Sequence, residues 1–184
     1  MLNDRLIRNS SSNDFPALEL LYTQAFPEED LIPLVKELLS DSDVAMSLVA
    51  TIQEKVVAHA VFTMCNIPGI SCKAALLGPL AVDPSCHRQG IGSAIVHEGL
   101  ERLARIKVAV VFVLGDPAYY SRFGFKPDSF IEPPYSLPEE LRESEVWQRW
   151  KDAWQSKYLA GAPATRKGTL SVPSQWQHPE LWAP

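Results

Sequence analysis

The chain has 184 residues, 46% of them hydrophobic, a length that suits one domain able to bury a substantial core without disulfide or metal staples. Its 17 basic against 22 acidic residues give a formal net charge of -5, which argues against general attraction to nucleic acid and suits cationic amines as partners. Met1 to Asp14 is polar and mixed in charge, with no signal-peptide core, and no later apolar run approaches membrane-spanning length, so the expected location is the cytoplasm with no membrane partner. Cys65, Cys72 and Cys86 form no CxxC pair and, being odd in number, cannot make a complete disulfide framework, which points to buried or loop thiols.

In chain order, Arg5 to Asn9 is a short first strand, and the polar cluster Ser10 to Asp14 caps a helix whose apolar positions are Leu18, Leu21, Tyr22, Ala25 and Phe26. Leu31 to Leu39 is a second helix, with Pro33 in its first turn. Val44 to Gln53 and Val56 to Cys65 are apolar, β-branched runs joined across Glu54 and Lys55, the pattern of a hairpin. Ala74 to Val82 is a third long strand, in which Gly78 and Pro79 predict a bulge. Gly90 to Arg105 continues as a helix. Val108 to Leu114 is an apolar run expected of a strand covered on both faces, so that strand, helix and strand make a parallel crossover.

Asp116 caps a short helix opened by Pro117, after which Phe123 to Phe125 returns to strand. Beyond residue 128, prolines 133, 134 and 138 make a linker-like entry. Glu139 to Trp150 has a helical charge pattern, Ala153 to Leu159 reads as strand, and the proline-punctuated remainder as irregular chain. All five tryptophans, at 147, 150, 154, 176 and 182, fall in this region. They are expected to cover the flank of the domain, with an aromatic partner-binding surface as the alternative.

The segment from Val82 to Ala94, VDPSCHRQGIGSA, is strand, glycine-rich turn and helix start in immediate succession. Gly90 and Gly92 carry no Cβ, so backbone N–H groups can approach a ligand closely, and the helix start adds unpaired donors and the positive end of its dipole. That chemistry fits a pyrophosphate. A second motif, GDPAYYSRFGF, follows at Gly115 to Phe125.

Together the two motifs resemble the GNAT superfamily of acetyl-CoA-dependent N-acetyltransferases, over roughly residues 5 to 127 and close to a bacterial acetyltransferase branch. The resemblance implies an α/β (or α+β) fold with a mixed, mostly antiparallel central sheet, a splayed parallel strand pair and flanking helices. It implies a single domain whose C-terminal segment, 128 to 184, completes the sheet. It also implies acetyl-CoA as cosubstrate, with no metal. His87, Arg88, Gln89, Gly90, Ile91, Gly92 and Ser93 then form the loop for the pyrophosphate. His87 stands where the family usually has Arg or Gln, a small change if backbone amides do most of the cradling. The backbone of Leu80, Ala81 and Val82 would pair with the pantetheine arm, and the N–H of Leu80 would bind the thioester carbonyl.

Acetyl transfer also needs an acid for the departing thiolate. Tyr120 occupies the family's tyrosine position, and a phenol of pKa near 10 stays protonated until a thiol of pKa about 8.5 leaves as thiolate. Tyr119 reads as packing. No general base stands out. His59 lies on an apolar strand face, where a hydrogen-bonded core histidine is the plainer reading, His97 and His178 have no defining context, and Asp83 reads as a turn former. Glu98 and Glu101 read as a solvated helix face. The implied function is direct transfer of an acetyl group to a primary amine, the acceptor being a small molecule or a protein amine. The alternatives are a non-catalytic acyl-CoA sensor and, less consistent with the absent GxxxxGK motif, a nucleotide-binding enzyme. Oligomeric state stays open, a homodimer included.

Overall fold

The computed structural model describes residues 5–128, 130–136, 144–161 and 167–182. The chain divides into two compact units, Met1–Thr63 with Leu77–Arg102, and Met64–Leu76 with Leu103–Pro184.

In the first unit the strands are β1 (Arg5–Asn9), β2 (Ala45–Ile52), the first part of β3 (Lys55–Ile67) and the last part of β4 (Ile70–Val82), hydrogen-bonded in the order β1-β2-β3-β4. β1 pairs antiparallel with β2 from Arg5↔Ile52 to Asn9↔Leu48, and β2 pairs antiparallel with β3 from Ala45↔Thr63 to Ile52↔Lys55. The expected hairpin forms, with its two-residue turn one position earlier than Glu54 and Lys55, at Gln53 and Glu54, both at positive φ (49° and 66°) as a tight turn matched to strand twist requires. Val56 to Thr63 is buried at every position, which explains its mostly apolar character, His59 and Thr63 being the buried polar exceptions.

Helices α1 (Phe15–Ala25) and α2 (Ile32–Leu39) lay Leu18, Leu21, Tyr22 and Val35 against Val49, Val56 and Ala81. The predicted capping cluster sets the start of α1. Ser11 donates from its N–H and its hydroxyl to Asp14 Oδ2 at 2.7 and 3.0 Å, and the Arg8 guanidinium meets both carboxylate oxygens at 2.7 Å. The guanidinium holds the Asp14 carboxyl down to about 2. Helix α3 (Ile91–Arg105) passes over β3 at Gly99, where a Cβ would stand 2.1 Å from the Phe62 ring.

In the second unit β4 runs parallel to β5 (Val108–Leu114), as the crossover pattern predicts, and the ladder extends from Lys73↔Val108 to Leu76↔Phe112. Its register shift lies at Lys73/Ala74. Strand geometry continues through Gly78, which takes φ 153°, and the Gly78–Pro79 peptide is cis. The order continues β4-β5-β8-β6, with β8 (Trp154–Tyr158) antiparallel to both β5 and β6 (Lys126–Pro127). A small parallel pair joins β7 (Ile131–Glu132) to β9 (Gly168–Thr169).

Two expectations change here, and the alternative reading of the tryptophans falls. Ser121–Phe123 is a 3-10 turn ended by Gly124 at φ 84°, so the strand resumes only at Lys126, two residues after that left-handed glycine. Helix α5 is Glu145–Ala153; the predicted start at Glu139 lies outside the described residues. The C-terminal tryptophans are core rather than an exposed surface: Trp150, Trp154, Trp176 and Trp182 are buried, and only Trp147 is half-exposed. Trp154 stacks on Phe112 (centroids 5.2 Å apart), and Trp182 meets Trp154 and Trp176 edge to face at 6.1 and 5.9 Å. The indole N–H groups of Trp150, Trp154 and Trp182 donate to the carbonyls of Trp182, Ile131 and Trp176, so a large apolar area is buried with its polar edge satisfied.

Candidate active site

The turn leaving β4 is built around Asp83. Its Oδ1 accepts the Ser85 N–H at 2.9 Å and the Ser85 hydroxyl at 2.6 Å, and its Oδ2 accepts Lys55 Nζ at 3.0 Å. Its own N–H donates to Val57 at 2.8 Å, and its carbonyl receives the Cys86 N–H at 2.8 Å. The Ser85 hydroxyl and the Lys55 ammonium hold the Asp83 carboxyl down to about 2. Asp83 is therefore the turn former its sequence context suggests, and it also ties the turn to the start of β3.

The following residues brace themselves. His87 Nε2 donates to the Val82 carbonyl at 3.1 Å, Gln89 Nε2 donates to the Ser85 carbonyl at 3.1 Å, and the Arg5 guanidinium donates to the Gln89 carbonyl at 3.1 Å. Arg88 and Gly90 take left-handed φ values of 61° and 75°, which reverse the chain into α3. The first α3 bond runs from the Ala94 N–H to the Gly90 carbonyl at 3.0 Å, so the amides of Ile91, Gly92 and Ser93 stand ahead of it with no acceptor within the helix. The fully buried Ile91 side chain anchors this end, while His87 to Gly90 is exposed. A compact anion fits such a set of donors at a helix start. On the preceding strand Ala81 is buried against α1 and α2, Leu80 and Val82 are half-buried, and the Val82 carbonyl is engaged by His87.

The second motif lies in the second unit. Asp116 caps α4 (Pro117–Tyr120) as predicted, accepting the Ala118 N–H at 2.8 Å. Tyr120 is half-buried, edge to face with Tyr119 (5.0 Å) and Phe125 (5.8 Å). Its ring lies over Gly115 so closely that a Cβ there would be 2.4 Å from Tyr120 Cε2. Burial, with Tyr119 beside it, pushes the Tyr120 hydroxyl well above the ordinary phenol value, so it is a protonated donor at neutral pH. No hydrogen-bond partner for that hydroxyl occurs among the described residues. Tyr119 packs against Tyr120 and Phe123 and carries Arg122 over its face at 4.6 Å, in keeping with a packing role.

Sequence reasoning did not find the residues that support Tyr120. The carbonyl of Gly115 accepts the amide of the buried Gln155 at 3.0 Å, and the Gly115 N–H donates to Ala153 at 3.0 Å. Gln155 lies forty positions away on β8, and no local signal links the two; the same holds for Arg5 and Lys55 at the β4 turn.

His59 is fully buried. Its Nδ1 meets the Tyr22 hydroxyl at 2.9 Å and its Nε2 the Ser47 hydroxyl at 2.7 Å, while Ser47 also accepts from Ser10 at 2.6 Å. Burial lowers its pKa to about 3, so it is neutral with both nitrogens occupied, the core histidine rather than a base poised for an incoming amine. His97 and His178 are exposed, His178 lying 3.5 Å from Glu180, and Glu98 pairs with Arg102 at 2.7 Å.

Comparison with known proteins converges on one family. The family model "Acetyltransferase (GNAT) domain" matches residues 6–127. The chain is 34% identical over 168 residues to the Escherichia coli K12 protein named uncharacterized N-acetyltransferase YjhQ, covering 88% of this chain and 86% of that one. It is 36% identical over 122 residues to E. coli YhbS, also named an uncharacterized N-acetyltransferase, covering 66% of this chain and 73% of that one. The crystal structure of YhbS in complex with CoA superposes with a TM-score of 0.81 at 28% identity, covering 95% and 93% of the two chains. A Brucella melitensis GNAT acetyltransferase in complex with acetyl-CoA has the same fold, at TM-score 0.72 and 24% identity. The mixed sheet with its single parallel β4–β5 pair, the donor-rich turn into α3 and the matched family model agree: the chain belongs to the GNAT N-acetyltransferases.

Proposed function

We propose that the chain transfers the acetyl group of acetyl-CoA directly to a primary amine. The observation that carries this reading is the turn from Arg88 to Ser93, whose left-handed residues lead into three helix-start amides with no acceptor in the helix. Those amides would hold the pyrophosphate, with Asp83, His87 and Arg5 fixing the turn rather than touching the ligand. The backbone of Leu80 and Ala81, with the N–H of Val82, would receive the pantetheine arm, and the Leu80 N–H would polarise the thioester carbonyl.

Acetyl-CoA supplies an activated acyl carbon and a thiolate leaving group. The neutral amine nitrogen bonds to that carbon as the carbon–sulfur bond breaks, Tyr120 donates its proton to the sulfur, and the proton shed by the new amide nitrogen returns through water to the Tyr120 phenolate. Tyr120 is protonated at neutral pH, as the donor must be before charge develops, and burial makes its hydroxyl a weaker acid than an ordinary phenol. The family resemblance favours the direct route, and the sequence carries no Cys and His motif typical of a covalent relay.

The test is a screen of amines for acetyl-CoA consumption, followed by Tyr120→Phe with the acceptor found. The expected result is kcat lower by roughly 10²–10⁴-fold with KM for acetyl-CoA little changed, the range of general acid catalysis. Full activity in Tyr120→Phe, with chemistry rate-limiting in single turnover, excludes the phenol as the acid.

A further inference from the structure

The second unit holds a cavity of about 290 Å³ lined by residues of that unit alone. Trp147, Trp150 and Trp154 form its aromatic side, Asp128 and Glu132 its acidic side, and Lys151 also borders it. Its volume is at the small end for ligand sites, the size of a head group rather than of a long chain.

The polar equipment of the walls selects the charge of an occupant. Trp147 and Trp150 are stacked at 5.6 Å on consecutive turns of α5. The indole N–H groups of Trp150 and Trp154 point to protein carbonyls, at 2.8 and 2.7 Å, and are not offered to a guest. With both donors engaged, these two rings offer an anion no hydrogen bond, and what they turn to the cavity is aromatic carbon, which attracts cations. Asp128 is fixed as a negative wall. Its Oδ1 accepts the N–H groups of Phe130 and Ile131 at 2.8 Å each, and its Oδ2 accepts the Ser156 hydroxyl at 2.5 Å. Glu132, exposed at the cavity edge, adds a second carboxylate, so two negative groups face one ammonium.

We infer that this cavity binds a small organic cation, an alkylammonium head group seated against the tryptophan faces between Asp128 and Glu132. Binding needs neither acetyl-CoA nor turnover, so its outcome is independent of the transfer reaction.

The experiment is calorimetric titration of the whole chain, at constant ionic strength, with choline and with 3,3-dimethylbutanol, which replaces the ammonium nitrogen by carbon at nearly the same shape. The expected result is saturable choline binding, with the neutral isostere weaker by about tenfold or more. Glu132→Gln, at an exposed position, should weaken choline several-fold without loss of fold, and Trp147→Leu should weaken it further. Equal affinity for choline and the isostere, absence of saturable choline binding, or wild-type choline affinity in a folded Glu132→Gln variant would each overturn the inference.

Discussion

Gly115→Ala separates the positioning of Tyr120 from the acid role proposed for its hydroxyl. Gly115 is not among the residues at positive φ, so its backbone admits alanine; what excludes a side chain is space. The new Cβ would lie 2.4 Å from Tyr120 Cε2, 3.0 Å from Cδ2 and 3.4 Å from Cζ, where carbon atoms settle at about 3.5–4.0 Å. The ring must therefore withdraw by about 1 Å, and Tyr119, Phe123 and Phe125 crowd the ways out. A displacement of that size at a reacting group costs on the order of 10²-fold in rate, whereas overpacking one methyl costs about 1–3 kcal/mol of stability. The bonds from Gly115 to Ala153 and Gln155 use backbone atoms and survive the change, so the fold persists. The assay is kcat and KM with the amine acceptor, beside a thermal melt and acetyl-CoA titration of the same variant. The expected pattern is a large fall in kcat, a modest fall in Tm and little change in acetyl-CoA affinity. A folded Gly115→Ala protein with kcat within about twofold of wild type would refute the requirement for this ring position.

Three further outcomes follow from other parts of the fold. Asp83→Asn removes the charge that Lys55 and Ser85 meet, and should weaken acetyl-CoA binding about tenfold by loosening the turn, the equivalent of one net hydrogen bond; unchanged affinity by calorimetry would remove Asp83 from that role. Gly99→Ala should lower stability by about 1–3 kcal/mol in denaturant unfolding despite alanine's better helix propensity, because its Cβ would meet the buried Phe62 ring at 2.1 Å; a stabilised variant would contradict the packing. His59 has a folded pKa of about 3 against an unfolded value near 6.5. The unfolded chain thus binds the extra proton between those values, and the stability held by neutral His59 is complete above pH 6.5 and lost as pH falls toward 3. His59→Gln, which cannot titrate, should show a stability slope across that window shallower by up to about 1.4 kcal/mol per pH unit, and parallel slopes for the two proteins would argue against a neutral buried histidine.

Much of this molecule is legible locally. Arg5–Asn9 and Val108–Leu114 are strands at the bounds read from the residues, and Val108–Leu114 is so because it is an apolar, largely β-branched run ended by turn formers. The Asp116 cap and the glycine turn into α3 are likewise short-range features, since caps and tight turns are satisfied by atoms two to four residues away. The break at Gly124 is local too, yet aromatic residues on both sides mimic a β run, and only the left-handed φ reveals the turn.

What tertiary structure alone decided is everything that depends on atoms brought together from distant positions. The sequence shows five tryptophans but not that four of them turn inward, since burial follows from which carbonyls their indoles reach, among them Ile131 and Trp176. It shows His59 on an apolar strand but not the Tyr22 and Ser47 hydroxyls that occupy its nitrogens and leave it neutral. It shows a GD pair before the two tyrosines, but the reason glycine stands at 115, the ring of Tyr120 folded back over it with Gln155 holding its carbonyl from β8, is a matter of packing volume, and volume is set only when the chain has closed on itself.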